Sequence, residues 1–467
     1  MADLLDSRVA MLDRAITILT AALVVAVGLL VGGGSSSTGS GAALASRTAG
    51  LVPADALVYV HLSMDRDRDA TARAEALAGR FPGWARLRDG IVTRLSAPRC
   101  PVDRRALRGK EAALAFLKGS GATAGSLVLI DTGVDHPRPA RRTCGTLSTE
   151  YIGTFLAIGQ PASLRAARDL AAGRGASLAE SSAWKAVAED LPADRVADGW
   201  ASRDGVRRLL SPRGGLLGAA GVLLDQPALR GAGFALTPAR DGARLTVRSL
   251  LNPERGSPSP FKPFSPTLYR DAPEGTMAYL GVTGLATALG RVLAAAGPDT
   301  EALAPLAGRL DRRLLDLFTG EVAVLLLPAV PAPTLTILAR TKDEAKARAA
   351  LRKLPKALTD VFSTAVFDGK VAVSTKPEGI AAVRDPGPGL ARSDLFRAGI
   401  RDVPSRATSL LFLDFNRLLR LGEQTGLNDS RAYRGVKDDL RQVRAVGATS
   451  SRQGSESTAE IFLSIRP

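Results

Sequence analysis

Aromatic side chains make up only 4% of this 467-residue chain, so its cores have to be assembled from Ala, Val and Leu. Two Cys and two His are too few for a zinc finger or any Cys/His metal cluster, which leaves carboxylates as the one ligand set for a cation. No cofactor is expected. The common catalytic patterns are missing too: there is no Gly-x-Ser-x-Gly elbow, no phosphate loop ending in Gly-Lys-Ser/Thr, no His-Glu-x-x-His and no Gly-x-Gly-x-x-Gly. Gly119-Ser-Gly121-Ala-Thr-Ala-Gly125 has the wrong spacing for a phosphate loop and reads as a hairpin turn. Acidic residues are in deficit, 46 against 62 Lys and Arg, and the resulting net charge of +16 attracts polyanions. Charge sign alone does not separate nucleic acid from anionic lipid or an acidic wall polymer. The basic runs lack interleaved aromatics on which bases would stack, so nucleic acid is not an expected partner.

What is present begins with twenty uncharged residues, Ala15 to Gly34. At 1.5 Å per residue they make about 30 Å of helix, the thickness of a hydrocarbon layer. Arg8 and Arg14 precede the run and no Lys or Arg follows before Arg47, which places the N-terminus in the cytoplasm and the bulk outside the membrane. A cleaved signal peptide ending at Ala43-Leu44-Ala45 is the alternative, and a buried soluble helix a third reading. In an oxidising compartment Cys100 and Cys144 are candidates for a disulfide, with two unpaired buried thiols as the other reading.

The remainder repeats itself. Pro53-Ala-Asp-Ala-Leu-Val-Tyr59 parallels Pro273-Glu-Gly-Thr-Met-Ala-Tyr279, Glu111–Leu117 parallels Glu321–Leu327, and Ser126–Ile130 parallels Thr334–Leu338. Gly153 to Asp169 matches Gly369 to Asp385 as a strand, a proline turn and a short helix. Ser181 and Trp184 match Ser393 and Phe396, and Gly233–Leu250 parallels Gly447–Ile465 as a closing hairpin. The expected fold is α+β: two tandem duplicated modules, each a mainly antiparallel sheet with packed helices, after one N-terminal transmembrane helix. The boundaries are a tail at 1–14, the span at 15–34, a Gly/Ser-rich tether at 35–50, modules at 51–252 and 270–467, and a Pro/Ser-rich linker at 253–269. Leu303, Leu306, Leu310, Leu314 and Leu317 fall at helical spacing and predict an amphipathic helix packed on a sheet.

Three polar features invite chemical readings. Asp65, Asp67 and Asp69 alternate like the first ligands of a calcium loop, but Ala70 replaces the required glycine and Ala76 the closing glutamate, so a charged helix entry is the better reading. His61 would suit a general base, yet its counterpart is Gly281 and no nucleophile accompanies it, so it reads as a strand-end histidine. Asp65, Asp204 and Asn416 stand twelve residues after prolines and read as helix caps.

With the apolar run and the Leu51-Val-Pro53-Ala-Asp55-Ala-Leu-Val-Tyr59 start in view, the chain resembles an uncharacterised actinobacterial family of exported, membrane-anchored proteins catalogued as a domain of unknown function. The resemblance implies location and architecture, and it brings no functional residues. The functional expectation is a non-enzymatic, membrane-anchored envelope protein that binds or scaffolds a protein, a lipid or another amphiphile, or an acidic wall polymer. An envelope hydrolase with an unlocated carboxylate site is the alternative. No catalytic, cofactor-binding or metal residue is assigned.

Overall fold

The computed structural model describes residues 46–86, 109–119, 124–136, 141–144, 146–210, 228–252, 262–284, 318, 320–330, 332–354 and 356–467. Strands dominate. They are β1 (Val58–Ser63), β2 (Glu111–Leu117), β3 (Gly125–Asp131), β4 (Arg142–Cys144), β5 (Leu147–Ile152), β6 (Phe155–Gly159), β7 (Ala197–Ser202), β8 (Leu229–Ala239) and β9 (Gly242–Leu251). The chain continues with β10 (Ala278–Thr283), β11 (Glu321–Leu327), β12 (Thr334–Arg340), β13 (Ser363–Phe367), β14 (Lys370–Ser374), β15 (Ser409–Asp414), β16 (Val443–Gln453) and β17 (Glu456–Ile465). Ten helices accompany them among the described residues: α1 (Asp69–Ala78), α2 (Pro161–Ala171), α3 (Ser182–Ala188), α4 (Arg203–Leu210), α5 (Glu344–Arg352), α6 (Lys356–Thr359), α7 (Pro377–Arg384), α8 (Asp394–Gly399), α9 (Phe415–Gln424) and α10 (Arg431–Leu440).

All 17 strands join one antiparallel sheet. Its pairings run β4-β5-β6-β3-β2-β1-β7-β8-β9 and continue through β17-β16-β15-β10-β11-β12-β14-β13. This corrects the expectation of two tandem modules with a sheet each. The physical reason lies at β9 and β17, whose outer backbone groups would be bare edges if the sheets were separate. They pair along their length instead, Gly242 opposite Ser464, Thr246 opposite Glu460 and Leu250 opposite Glu456. Since Gly242 and Glu456 each begin the second strand of a hairpin, this join is two-fold in character: each strand's start meets the other's far end. Strand order on the two sides is the same except for β4, which has no counterpart among the described residues.

The anchored architecture is corrected as well. Among the described residues no helix is long and apolar enough to cross a membrane, and the run 15–34 lies outside those residues. No disulfide is formed among the described residues: Cys144 lies in β4, and Cys100 is outside them, as is the leucine-spaced stretch 303–317.

Local chemistry explains the elements. Pro161 and Pro377 occupy the first turns of α2 and α7, where the missing N–H costs nothing. Ser181 and Ser393 accept the amides of Trp184 and Phe396 and start α3 and α8. The predicted caps Asp204 and Asn416 sit inside helices; the side chains that accept the first-turn amides are Ser202 and Asp414, two residues earlier. Gly153 and Gly369 lie at positive φ in the β5–β6 and β13–β14 turns. The Ser126/Thr334 correspondence is one residue out: Leu117 faces Gly125 and Leu327 faces Thr334, so Ser126 corresponds to Leu335. In a strand that slip exchanges faces.

The face bearing Tyr59 and Tyr279 holds the two largest cores. Tyr59, Leu127, Leu129, Leu164, Trp184 and Trp200 pack together on one side of the join, and Tyr279, Leu325, Leu338, Phe396 and Phe412 on the other.

Candidate functional site

Two features stand out, one buried and polar, the other aliphatic and half-buried. The first lies in the middle of the sheet. The alternation of β1 puts Tyr59, His61 and Ser63 on one face, and neighbouring strands bring Glu111 and Asp198 beside His61, which is fully buried. His61 Nδ1 is 3.2 Å from Asp198 Oδ1, and its Nε2 is 3.2 Å from Glu111 Oε2. Arg195 Nε donates to Asp198 Oδ2 at 2.5 Å, while Arg47 donates from Nε to Glu111 Oε1 at 2.8 Å and from Nη2 to Asp131 Oδ2 at 2.6 Å. Glu111 Oε2 also accepts the amides of Arg47 and Thr48, closing the start of a 3-10 turn at Thr48–Leu51.

Burial pushes the His61 imidazole down, but Asp198 and Glu111 outweigh it and raise the pKa to about 9. Burial pushes both carboxylates up, and the opposing pull of His61 with Arg195 on Asp198, and of His61 with Arg47 on Glu111, leaves each below its ordinary value. The cluster is therefore a charged, mutually neutralised network. With His61 and Asp198 both at 0% exposure, no substrate reaches the imidazole, so its chemistry is structural. On the other side of the join Gly281 and Leu410 replace His61 and Asp198, while Glu321 keeps the capping role and accepts the amides of Thr267 and Leu268. The strand-end reading of His61 missed this network because Asp198 and Glu111 are 137 and 50 positions away; the one local signal was a glutamate opening the apolar strand Glu111–Leu117.

The other sequence-singled acids come to little. Asp65 accepts the Asp67 amide and pairs with Lys110, and Asp69 opens α1. Among the described residues no group of three His, Cys, Asp or Glu could hold a metal ion. A polar cavity of about 390 Å³ is lined by Glu274, Asp394, Asp414 and Arg417, but Asp414 is committed to capping α9 and pairing Arg417, and Asp394 pairs with Arg397.

The second feature is the opposite face of the sheet. Register places Leu245 beside Ile461, Leu463 beside Val446, Val446 beside Leu413, Leu411 beside Leu280 and Leu280 beside Val324. Residues directly opposite in antiparallel strands share a face, so these side chains form one aliphatic strip across β9, β17, β16, β15, β10 and β11. Six strands at about 4.8 Å spacing span about 24 Å. Every one of these residues is half-buried rather than enclosed. Beyond one end, α1 and α4 cover the same face, with Ala70 and Ala74 against Leu236 and Val206 against Phe234; beyond the other, Ala347 and Leu351 of α5 cover Ile337 and Val371. α9 packs against β15 and β16, whereas α3 and α8, which pack against β9 and β17, lie on the tyrosine face.

No family model matches the chain, and no curated protein does. Three solved structures, crystal forms I, III and IV of TP0453, align at 11–12% identity over 44–45% of this chain and 79–81% of theirs, with TM-scores of 0.25–0.27. A likeness at that level supports no statement about shared fold or function.

Proposed function

We propose that this chain is a non-enzymatic, envelope-associated binding protein whose ligand is an amphiphile with a long hydrocarbon segment. The aliphatic strip is the observation that carries the proposal. Leu, Ile and Val side chains on six adjacent strands line up on one face, each half-buried, with α9 packed against β15 and β16 alone of the six among the described residues; aligned apolar side chains left partly accessible mark interaction sites. A hydrocarbon chain laid on it gains about 0.8 kcal/mol for each buried methylene. The envelope setting, and the resemblance to the uncharacterised actinobacterial family, rest on the sequence alone; the excess of cations suits an anionic surface or headgroup. The hydrolase reading is weaker because the carboxylates that line the polar cavity at Asp414 and Asp394 are tied to arginines.

The test is saturable binding of a fluorescent long-chain fatty acid to the full chain, compared with Leu463→Asp and Leu280→Asp. Both positions are half-buried rather than enclosed, so circular dichroism first establishes that each variant keeps the fold. Each variant should weaken binding about tenfold or more, equivalent to at least ~1.4 kcal/mol. Binding that is absent from the wild type, or unchanged in both variants, removes the proposal.

A further inference from the structure

The two ends of the sheet are finished differently. In the first half the strand β5 is not the edge: β4 lies outside it, with Arg142 opposite Thr149 and Cys144 opposite Leu147. In the second half the corresponding strand β13 pairs, among the described residues, with β14 alone. The two-residue turn at Asp368-Gly369 closes on Phe367 and Lys370, so the antiparallel alternation points Ser363 and Ala365 toward β14 and sends the backbone groups of Thr364 and Val366 outward. Arg348 of α5 donates to the Val366 carbonyl at 3.2 Å; among the described residues the amides of Thr364 and Val366 and the Thr364 carbonyl meet no partner. Thr364 is the counterpart of Thr149, whose outward side β4 covers.

We propose that β13 is an interface at which a second copy of this chain adds its own β13, antiparallel, across a two-fold axis at Thr364. The strand's sequence fits itself. Val361-Phe-Ser-Thr364-Ala-Val-Phe367 carries no charge and no proline, and inversion about Thr364 sets Phe362 opposite Val366 and Ser363 opposite Ala365. Aromatic and β-branched pairs across strands are favourable, whereas a charged strand would repel its own copy. Val361, 59% exposed, adds apolar surface where the strand enters the edge. The join of β9 to β17 is the same kind of contact, two antiparallel edge strands paired in two-fold fashion, already made once within the chain. An edge of this composition, on which Arg348 takes only the Val366 carbonyl among the described residues, is a template for strand addition; the added strand shares that carbonyl or displaces the arginine.

Sedimentation velocity of the full chain over a concentration series tests this. The wild type should approach twice the monomer mass. Thr364→Pro removes an outward amide without touching the bonds to β14, and Thr364→Lys keeps that amide but sets two like charges opposite each other. Both should raise the dimer dissociation constant about tenfold or more, with unchanged circular dichroism. If the proline variant misfolds, the lysine variant decides. A wild type that stays monomeric up to about 100 μM, including one that pairs only with some other protein, overturns the proposal. So does self-association that survives the substitutions at full strength.

Discussion

Replacing His61 by Gln should flatten the pH dependence of stability on the alkaline side. A histidine whose folded pKa exceeds its unfolded value stabilises the fold in full below the unfolded pKa and loses that contribution as pH rises through the folded one. Here the values are 6.5 and about 9, a difference worth roughly 3 kcal/mol at 1.36 kcal/mol per unit. Asp198 and Glu111 act in the other direction: both are held below their ordinary range, so their contribution is present above the unfolded carboxylate pKa and is lost only on acidification. Between about pH 6 and pH 10 they remain ionised, and the histidine is the member of the cluster that changes charge. Urea unfolding of wild type and His61→Gln at both pH values gives four stabilities. Subtracting variant from wild type cancels surface groups common to both. The gap should be roughly 3 kcal/mol near pH 6 and shrink toward zero by pH 10. A gap equal at the two pH values, or one that widens on the alkaline side, would refute the charged network and mean that His61 is buried neutral.

Two further outcomes follow from the packing. Tyr59→Phe removes hydrogen bonds to Ser46 and Thr48 and should cost roughly 1–2 kcal/mol, whereas the buried Tyr279 hydroxyl meets no partner among the described residues and Tyr279→Phe should be neutral within about 0.5 kcal/mol; urea midpoints compare them. Gly447→Ala should cost about 1–3 kcal/mol or more, read as a lowered melting temperature, because its Cβ would collide with the Gly399 carbonyl and the Ile400 side chain where α8 crosses β16.

Much that is local was legible in the chain. Prolines at the first turns of α2 and α7, the strands 111–117 and 321–327 and the turn glycines at 153 and 369 are each specified by residues a few positions apart, because helix starts and tight turns are satisfied by neighbours; Ser181 and Ser393 were legible only as matching positions, and the structure shows them to be caps. The misplaced caps show how far such reading reaches: Ser202 and Asp414, short polar residues like the expected Asp204 and Asn416, cap two residues earlier, while Asp65 caps nothing and α1 starts at Asp69 with no side-chain cap.

What the sequence by itself determined, then, was the type of several elements, among them the strands 111–117 and 321–327 and the proline-started helices, and the recurrence of their order along the chain. Tertiary structure decided the rest. Only strand pairing joins β9 to β17 and turns two runs of strands into one sheet, since an edge's partner is chosen by backbone groups that every sequence carries. Only pairing brings Glu111 and Asp198 to His61, and only register sets Leu245, Ile461, Leu463, Leu411 and Leu280 on a common face. A strand's own alternation fixes that its side chains divide between two faces; which neighbour each face meets, and whether a helix then covers it, depends on contacts between residues hundreds of positions apart.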